Sequence, residues 1–445
     1  MVKASPASSP ARRPRRVCIA PNDVASYYSG LRDGLATHGV ASWFFCFDYT
    51  PYTRYRPAPS APWLERLVYR IASSPWLAKT AAGRFAAKSL LLILRPVCCL
   101  VATLCCDVFI FGFGRTFIRR LELPLLRLLG RRIIFVFNGS DTRPAWMSGI
   151  YLLGPGLPNA EALLQETRRQ QSCIRKIERY ADEIVCHPLS AQLLTKPFVN
   201  HLAIGHPFAP GTTAPVSASR SSTDRLRVLH APTRPLQKGS PQFRAAIESL
   251  RATGIPVDYQ EITGRPNHEV LAAIAASDLV LDELFSDIPL AGLGTETAAL
   301  GRPFLVGGYA REELERFGGE HRIPISHYVH PDNLIAALQD LARHPERRTR
   351  LAAELQDFAL QQWNPPAMAG NFLNLITANT PSAWRIDPTI LRYWQGWGAP
   401  EDAVRCGIAA LIAHAGPEAL GLNHNPALKE TVIGQGAQAS AAPTA

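Results

Sequence analysis

Apolar residues in this chain fall into two kinds of run. Short, nearly continuous ones, such as D-V-F-I-F-G-F from Asp107 to Phe113 and R-I-I-F-V-F from Arg132 to Phe137, suit parallel strands buried on both faces. Polar stretches with apolar residues at helical spacing lie between them, as from Glu161 to Tyr180. On this reading Val17–Ala20 is a first strand, Gly30–His38 a helix, Val40–Phe47 a second strand and Asp182–Cys186 a further one. The alternation restarts after residue 225. Strands are predicted at Leu226–Ala231, Val257–Ile262, Leu279–Asp282, Pro303–Val306 and His327–Val329, with helices at Phe243–Leu250, His268–Ala276 and Asp332–His344. Strands alternating with helices predict the α/β class. Because the pattern occurs twice, the expected fold is two doubly wound Rossmann-like domains with a C-terminal helical extension.

Residues 207–224, rich in Pro, Ala, Ser, Thr and Gly, read as the linker. This gives a first domain over 16–206 and a second over 225–361. Residues 362–425 are expected to hold helices, the first opening at W-N-P-P and running to Ile376; those within 383–422 have no assigned place. The basic segment 1–15 and the Ala-, Gln- and Gly-rich segment 426–445 are expected to be disordered tails.

Composition narrows the partners. The net charge is +11, but Lys3, Arg12, Arg13, Arg15 and Arg16 supply five of those positives within the first sixteen residues. Zinc-finger spacing and RNA-binding signatures are absent, so nucleic acid is not an expected partner. The nine cysteines are scattered and never form C-x-x-C, which reads as reduced thiols in a cytoplasmic protein and not as a metal site. Ser89–Cys106 is apolar enough to suggest a membrane span, but Arg95 and Pro96 near its middle favour a buried or interfacial helix. Upstream, Trp63, Leu67, Trp76 and Leu77 are mixed with Arg66, Arg70, Lys79, Arg84 and Lys88. Peripheral contact with an anionic membrane and an ordinary domain surface both fit that mixture.

Candidate chemistry concentrates in two places in the second domain. The strand ending at Ala231 runs into A-P-T-R-P-L-Q-K-G-S-P, where Gly239 frees the backbone, Ser240 suits a helix N-cap and Pro241 the first helical turn. A helix mouth with Arg234 and Lys238 beside it is an anion site suited to a diphosphate; the plain alternative is surface charge on a loop. Downstream, G-L-G-T-E-T-A-A-L-G-R-P puts Glu296 at another helix start opened by Gly294 and Thr295. A carboxylate there can accept both hydroxyls of a ribose, or simply complement the helix dipole. In the first domain F-N-G-S-D-T-R-P follows a buried strand, where ligands of α/β sheets gather. Asn138, Gly139, Asp141 and Arg143 are candidate substrate contacts, with an Asx-type turn built on Asp141 as the alternative. His187, His206 and His230 read as turn or packing residues. Asp282, Glu283 and Asp287 form an acidic group, without a D-x-D between strands.

From Val228 to Val306 these motifs resemble the donor half of the retaining nucleotide-sugar glycosyltransferases of GT-B architecture (the group 1, family 4-like enzymes). That family carries R-x-x-x-x-K-G; here the Arg-to-Lys spacing is one residue shorter. Its second glutamate, followed by A-x-A-x-G-x-P, matches Glu296 in E-T-A-A-L-G-R-P. The first, eight residues upstream, is replaced by Ile288, with Asp287 beside it. The resemblance implies an acceptor domain followed by a donor domain, and a C-terminal helix that crosses back onto the first. It also implies a metal-independent hexosyltransferase-type enzyme acting with retention, with a nucleotide-diphosphate sugar as donor substrate, no separate cofactor, and a saccharide or lipid-linked acceptor. Arg234, Lys238 and Asp141 would be its catalytic residues. Arg234, Lys238, Gly239, Gly294, Thr295 and Glu296 would bind the donor. Arg143 would hold an anionic acceptor, and Asp287 could replace the missing glutamate. The rival readings are a GT-B-like nucleotide-sugar-binding or scaffold protein without catalysis, and a sugar-nucleotide epimerase.

Overall fold

The computed structural model describes residues 16–49, 55–154, 158–208, 225–319, 323–324 and 327–441. The expected basic tail, and all of the expected linker after Phe208, lie outside the described residues. Within them two parallel sheets form. The first orders its strands β2 (Ser42–Phe44), β1 (Val17–Ala20), β3 (Val108–Gly112), β4 (Arg132–Val136), β5 (Glu183–Cys186), β6 (Phe198–Asn200) and, antiparallel at the edge, β12 (Arg385–Ile386). The second runs β8 (Val257–Glu261), β7 (Leu226–His230), β9 (Leu279–Leu281), β10 (Phe304–Gly307), β11 (Tyr328–Val329). Both are doubly wound α/β sheets, as the alternation predicted.

The central strands are buried on both faces, which is why they lack polar positions: all five residues of β3 are buried. On one face Phe109, Phe111, Phe135 and Phe137 form an aromatic ladder. Cys18, Cys98, Cys99 and Cys106 are buried in the same core cluster, and all nine cysteines are free thiols.

Helix Pro365–Ile376 leaves the second domain and packs on helix Tyr27–Thr37 of the first. The approach is close: a Cβ on Gly34 would stand 2.0 Å from the Pro365 carbonyl oxygen, so only glycine fits there. One expectation fails. Segment 426–445 is not a disordered tail along its described length, because Pro426–Ala441 is a helix packed on helix Glu401–Ala415 with Leu428 and Val432 fully buried. Its Ala, Gln and Gly content hid two well-spaced apolar anchors.

Candidate functional site

In each sheet the chain order reverses once, between β1 and β3 in the first and between β7 and β9 in the second. Loops diverge at such points and leave a crevice outside the carboxyl ends of the strands. Both crevices open on one shared cavity of about 510 Å³, a size that suits a small-molecule ligand. Residues following β1, β4 and β5 line it from the first domain; residues following β7, β8 and β9 line it from the second.

The cationic loop follows β7. Its turn is closed by the Lys238 N–H on the Arg234 carbonyl (2.9 Å) and the Ser240 N–H on the Pro235 carbonyl (2.9 Å). Gly239 takes φ +79°, and a Cβ there would meet the Leu284 Cβ at 2.5 Å. Helix Ser240–Ala252 starts directly after it. His230 anchors this start: its Nδ1–H donates to the Leu281 carbonyl (2.8 Å), so its Nε2 accepts from the Ser240 hydroxyl (2.8 Å). Burial holds that imidazole neutral, with its pKa lowered to about 4. His230 is thus structural. Arg234 is exposed on the cavity wall, and Lys238 lines the same wall from a more buried position.

Lys238 already holds protein carboxylates. Its Nζ donates to Glu283 Oε1 and lies 3.8 Å from Asp282 Oδ1. Desolvation lowers its pKa, and Asp282 works against that shift. The other oxygen of Glu283 accepts from the Trp397 indole N–H at 2.6 Å. Trp397 belongs to the segment with no assigned place in the sequence, and it clasps both domains. Its N–H donates to the Met147 carbonyl (2.9 Å), its carbonyl accepts from Gly149 (2.8 Å), and the Gly398 N–H donates to the Phe285 carbonyl (2.7 Å).

Arg143 and Asp287 also bridge the domains. The Arg143 Nε lies 2.9 Å from Asp287 Oδ2, and Nη2 donates to the same oxygen. Both side chains are almost fully buried, at 6% and 4% exposure, and the guanidinium rests over the Trp397 ring. Two expectations change as a result. Arg143 lines the cavity but is committed to a protein carboxylate, so it is not an open anion holder. Asp287 is committed to Arg143, so it does not replace the glutamate missing at Ile288.

Glu296 lines the cavity from helix Gly292–Ala299, and its Oε1 accepts from Asn267 Nδ2 at 3.0 Å. Thr295 lines it too, with its hydroxyl turned onto the Ala291 carbonyl at 2.9 Å. Gly294 and Gly239 are not among the lining residues. The Gly294 N–H is used inside the protein, donating to Asp282 Oδ2 at 3.1 Å. These glycines shape the walls and do not face the space.

In the first domain Asn138 and Gly139 reach the cavity. Asn138 Oδ1 accepts from the Tyr28 hydroxyl at 2.8 Å. Asp141 lies beneath them, outside the lining, and its Oδ1 accepts the Asn138 N–H at 3.0 Å. That N–H lies three positions upstream, so this is not the Asx-type turn expected, in which the carboxylate would accept from a residue downstream. Burial raises the Asp141 pKa to about 7 against the opposing backbone hydrogen bonds.

Three histidines face the cavity from the first domain: His187, His201 and His206. His201 Nε2 lies 3.1 Å from the Tyr27 hydroxyl. His187 Nδ1 accepts the Leu189 N–H at 3.3 Å, so in the neutral ring Nε2 carries the proton. Burial lowers the His187 pKa to about 3 and keeps the ring neutral. That buried Nε2–H has no partner among the described residues. His187 and His206, expected from the sequence as turn or packing residues, thus line the cavity, and β6, which delivers His201, is too short to show periodicity. Among the described residues no group of three or more His, Cys, Asp or Glu gathers to hold a metal ion.

No family model and no curated protein matches the chain. Solved structures similar to it include Anabaena Alr3699/HepE in complex with UDP-glucose, at 11% identity over 82% of this chain and 100% of that one, with TM-score 0.47. Trehalose-6-phosphate synthase, studied for glycosyl transfer with retention, is similar at 12% identity over 82% and 99%, with TM-score 0.44. The spinosyn rhamnosyltransferase SpnG, complexed with spinosyn aglycone, is similar at 15% identity over 81% and 100%, with TM-score 0.37. None of these likenesses carries an assignment of site or reaction.

Proposed function

We propose that this chain is a glycosyltransferase that takes a sugar from a nucleotide-diphosphate donor held by the second domain and passes it to a saccharide or lipid-linked acceptor held by the first. One observation carries the reading: Arg234, Lys238 and Glu296 all line the cavity that the two domains share. Glu296 lies 58 positions beyond Lys238, so it has no local reason to share a wall with the cation pair.

In this reading the diphosphate lies against Arg234 and Lys238, which face the cavity from the loop before helix Ser240–Ala252. The two cations stabilise negative charge as it develops on the departing diphosphate, the role a divalent ion plays in other transferases. Glu296, steadied by Asn267, accepts the ribose hydroxyls. Asn138, and the unpartnered Nε2–H of His187, face the opposite wall, where donor sugar and acceptor would meet. Retention follows the family resemblance and metal independence the cation pair; both belong to the proposal. So does a cytoplasmic location.

The experiment is calorimetric titration of the full chain with UDP-, GDP-, ADP- and dTDP-sugars, followed by a transfer assay with the donor that binds. Binding with transfer supports the reading, and failure to bind any of the four overturns it. Two observations favour the second reading, a nucleotide-sugar-binding protein without turnover. Ile288 stands where the resembling family has a glutamate, and Lys238 is already paired with Glu283. Binding without transfer to a broad acceptor panel, and without donor epimerisation by NMR, selects that reading.

A further inference from the structure

Helix Ala81–Cys105 covers one side of the first domain but buries only a narrow stripe. Leu91, Cys98, Cys99, Ala102 and Thr103 face the core. On the opposite face Phe85, Leu92, Ile93, Leu100 and Leu104 are each 60–73% exposed. Intervals of seven and four residues return to the same side of a helix, so they form one apolar strip. Trp76, 78% exposed, and Trp63, 67% exposed, stand on the two helices that precede it. A soluble surface rarely carries so much contiguous apolar area without a partner.

The charge pattern says what kind of partner. From Arg66 to Cys106 there is no Asp or Glu, while Arg66, Arg70, Lys79, Arg84, Lys88 and Arg95 are cations. Five of these six are exposed and precede the stretch from Leu90 to Leu104 in sequence. Arg95, the charge that interrupts the strip in the sequence, is folded back. It lies over the Phe47 ring and 3.6 Å from Asp48 Oδ1. The outer face from Leu90 to Leu104 is therefore free of charged groups.

We infer that this face docks the protein flat on an anionic lipid bilayer, with the strip in the acyl–headgroup boundary, the tryptophans at headgroup level and the cations on the lipid phosphates. The helix lies on the surface and does not span the bilayer. Its inner stripe belongs to the domain core, and only Cys106 and Asp107 separate the helix from β3. A second copy of the chain is a poorer occupant, because a self-complementary contact would set the same cations against one another.

The test is co-sedimentation of the full chain, without nucleotide, with vesicles of phosphatidylcholine alone or containing about one-third phosphatidylglycerol. A failure here leaves the sugar-transfer reading untouched, since that site is not probed. Binding is expected to the anionic vesicles, and to weaken with salt. Arg84→Glu with Lys88→Glu should weaken it at least about twentyfold, given roughly fivefold for each cation lost near such a surface. Ile93→Glu with Leu100→Glu should weaken it at least tenfold, with an unchanged thermal melt because both sites are exposed. No pelleting with anionic vesicles, pelleting of both double variants at the parent's level, or a sedimentation-velocity dimer broken by the Ile93/Leu100 variant in a chain that ignores vesicles would each overturn the inference.

Discussion

Arg143 and Asp287 join the two domains across the cavity, 144 residues apart in the chain, with both side chains nearly out of water. Burial raises the Asp287 pKa, and Arg143 opposes that shift. Removing one partner leaves the other charge buried and unpaired, at a cost of roughly 3–5 kcal/mol. Arg143→Ala and Asp287→Ala should each lower stability by about that amount in denaturant melts. Arg143→Met with Asp287→Leu should recover most of it. Additive losses in the double variant would mean that the pair does not act as a unit.

The cationic loop separates binding from stability. Arg234 is exposed, so Arg234→Ala should leave the melt unchanged while weakening nucleotide-diphosphate binding about tenfold to a hundredfold, the worth of one charge-assisted hydrogen bond. Lys238→Ala should weaken binding similarly and also destabilise the fold, because it strands Glu283 and Asp282. Unchanged titration curves for both variants would refute the phosphate assignment.

Glu283 competes for Lys238 with any incoming diphosphate. Glu283→Gln removes that anion and retains an acceptor for the Trp397 indole N–H. Nucleotide-diphosphate affinity should rise several-fold by calorimetry. A fall would place Glu283 among the ligand contacts.

The legible part of this molecule was its local chemistry. Strands β3 and β4 announced themselves through uninterrupted apolar runs, whereas the short β6 and β12 did not; the Arg234–Lys238 loop and Glu296 stood out through glycine and proline at fixed offsets, although Gly239 and not Ser240 is the N-cap. What stayed hidden is held by distant contacts. Nothing near Arg143 names Asp287 as its partner. Trp397 sits in W-Q-G-W-G, which has no helical or strand period, yet it touches both domains. Asp141 lies outside the cavity lining, and its carboxylate accepts the N–H of Asn138 three positions upstream, a contact that neither the substrate nor the Asx-type expectation describes.

Asp141 should leave a pH signature. Its pKa is about 7 in the fold, raised by burial, against about 3.9 for an ordinary aspartate. Between those values the folded chain holds a proton that the unfolded chain lacks, so this group makes stability fall as pH rises, levelling off above 7. His187 and His206, lowered by burial to about 3 and about 4, work the other way between pH 4 and 6.5. They cancel in a variant-minus-parent difference. Asp141→Asn should match the parent near pH 4 and exceed it above pH 7 by about 1–2 kcal/mol, below the roughly 4 kcal/mol that the full shift would allow. A difference independent of pH would show that Asp141 titrates normally.

The C-terminal helix Pro426–Ala441 looks dispensable by composition and is not so by packing. Leu428 and Val432, one turn apart, are fully buried on that helix. Helix Glu401–Ala415, on which it packs, in turn rests on helix Ala160–Tyr180 of the first domain. Removing residues 426–445 therefore uncovers apolar surface on a helix that belongs to the first domain's core. Leu428→Ala alone should cost about 2–4 kcal/mol, as for other buried leucines, and the truncation at least as much. Donor titration with the surviving folded protein should be unchanged, because no residue of that helix lines the cavity. A truncated chain that melts at the parent's temperature would return this segment to the disordered tail that its composition suggests.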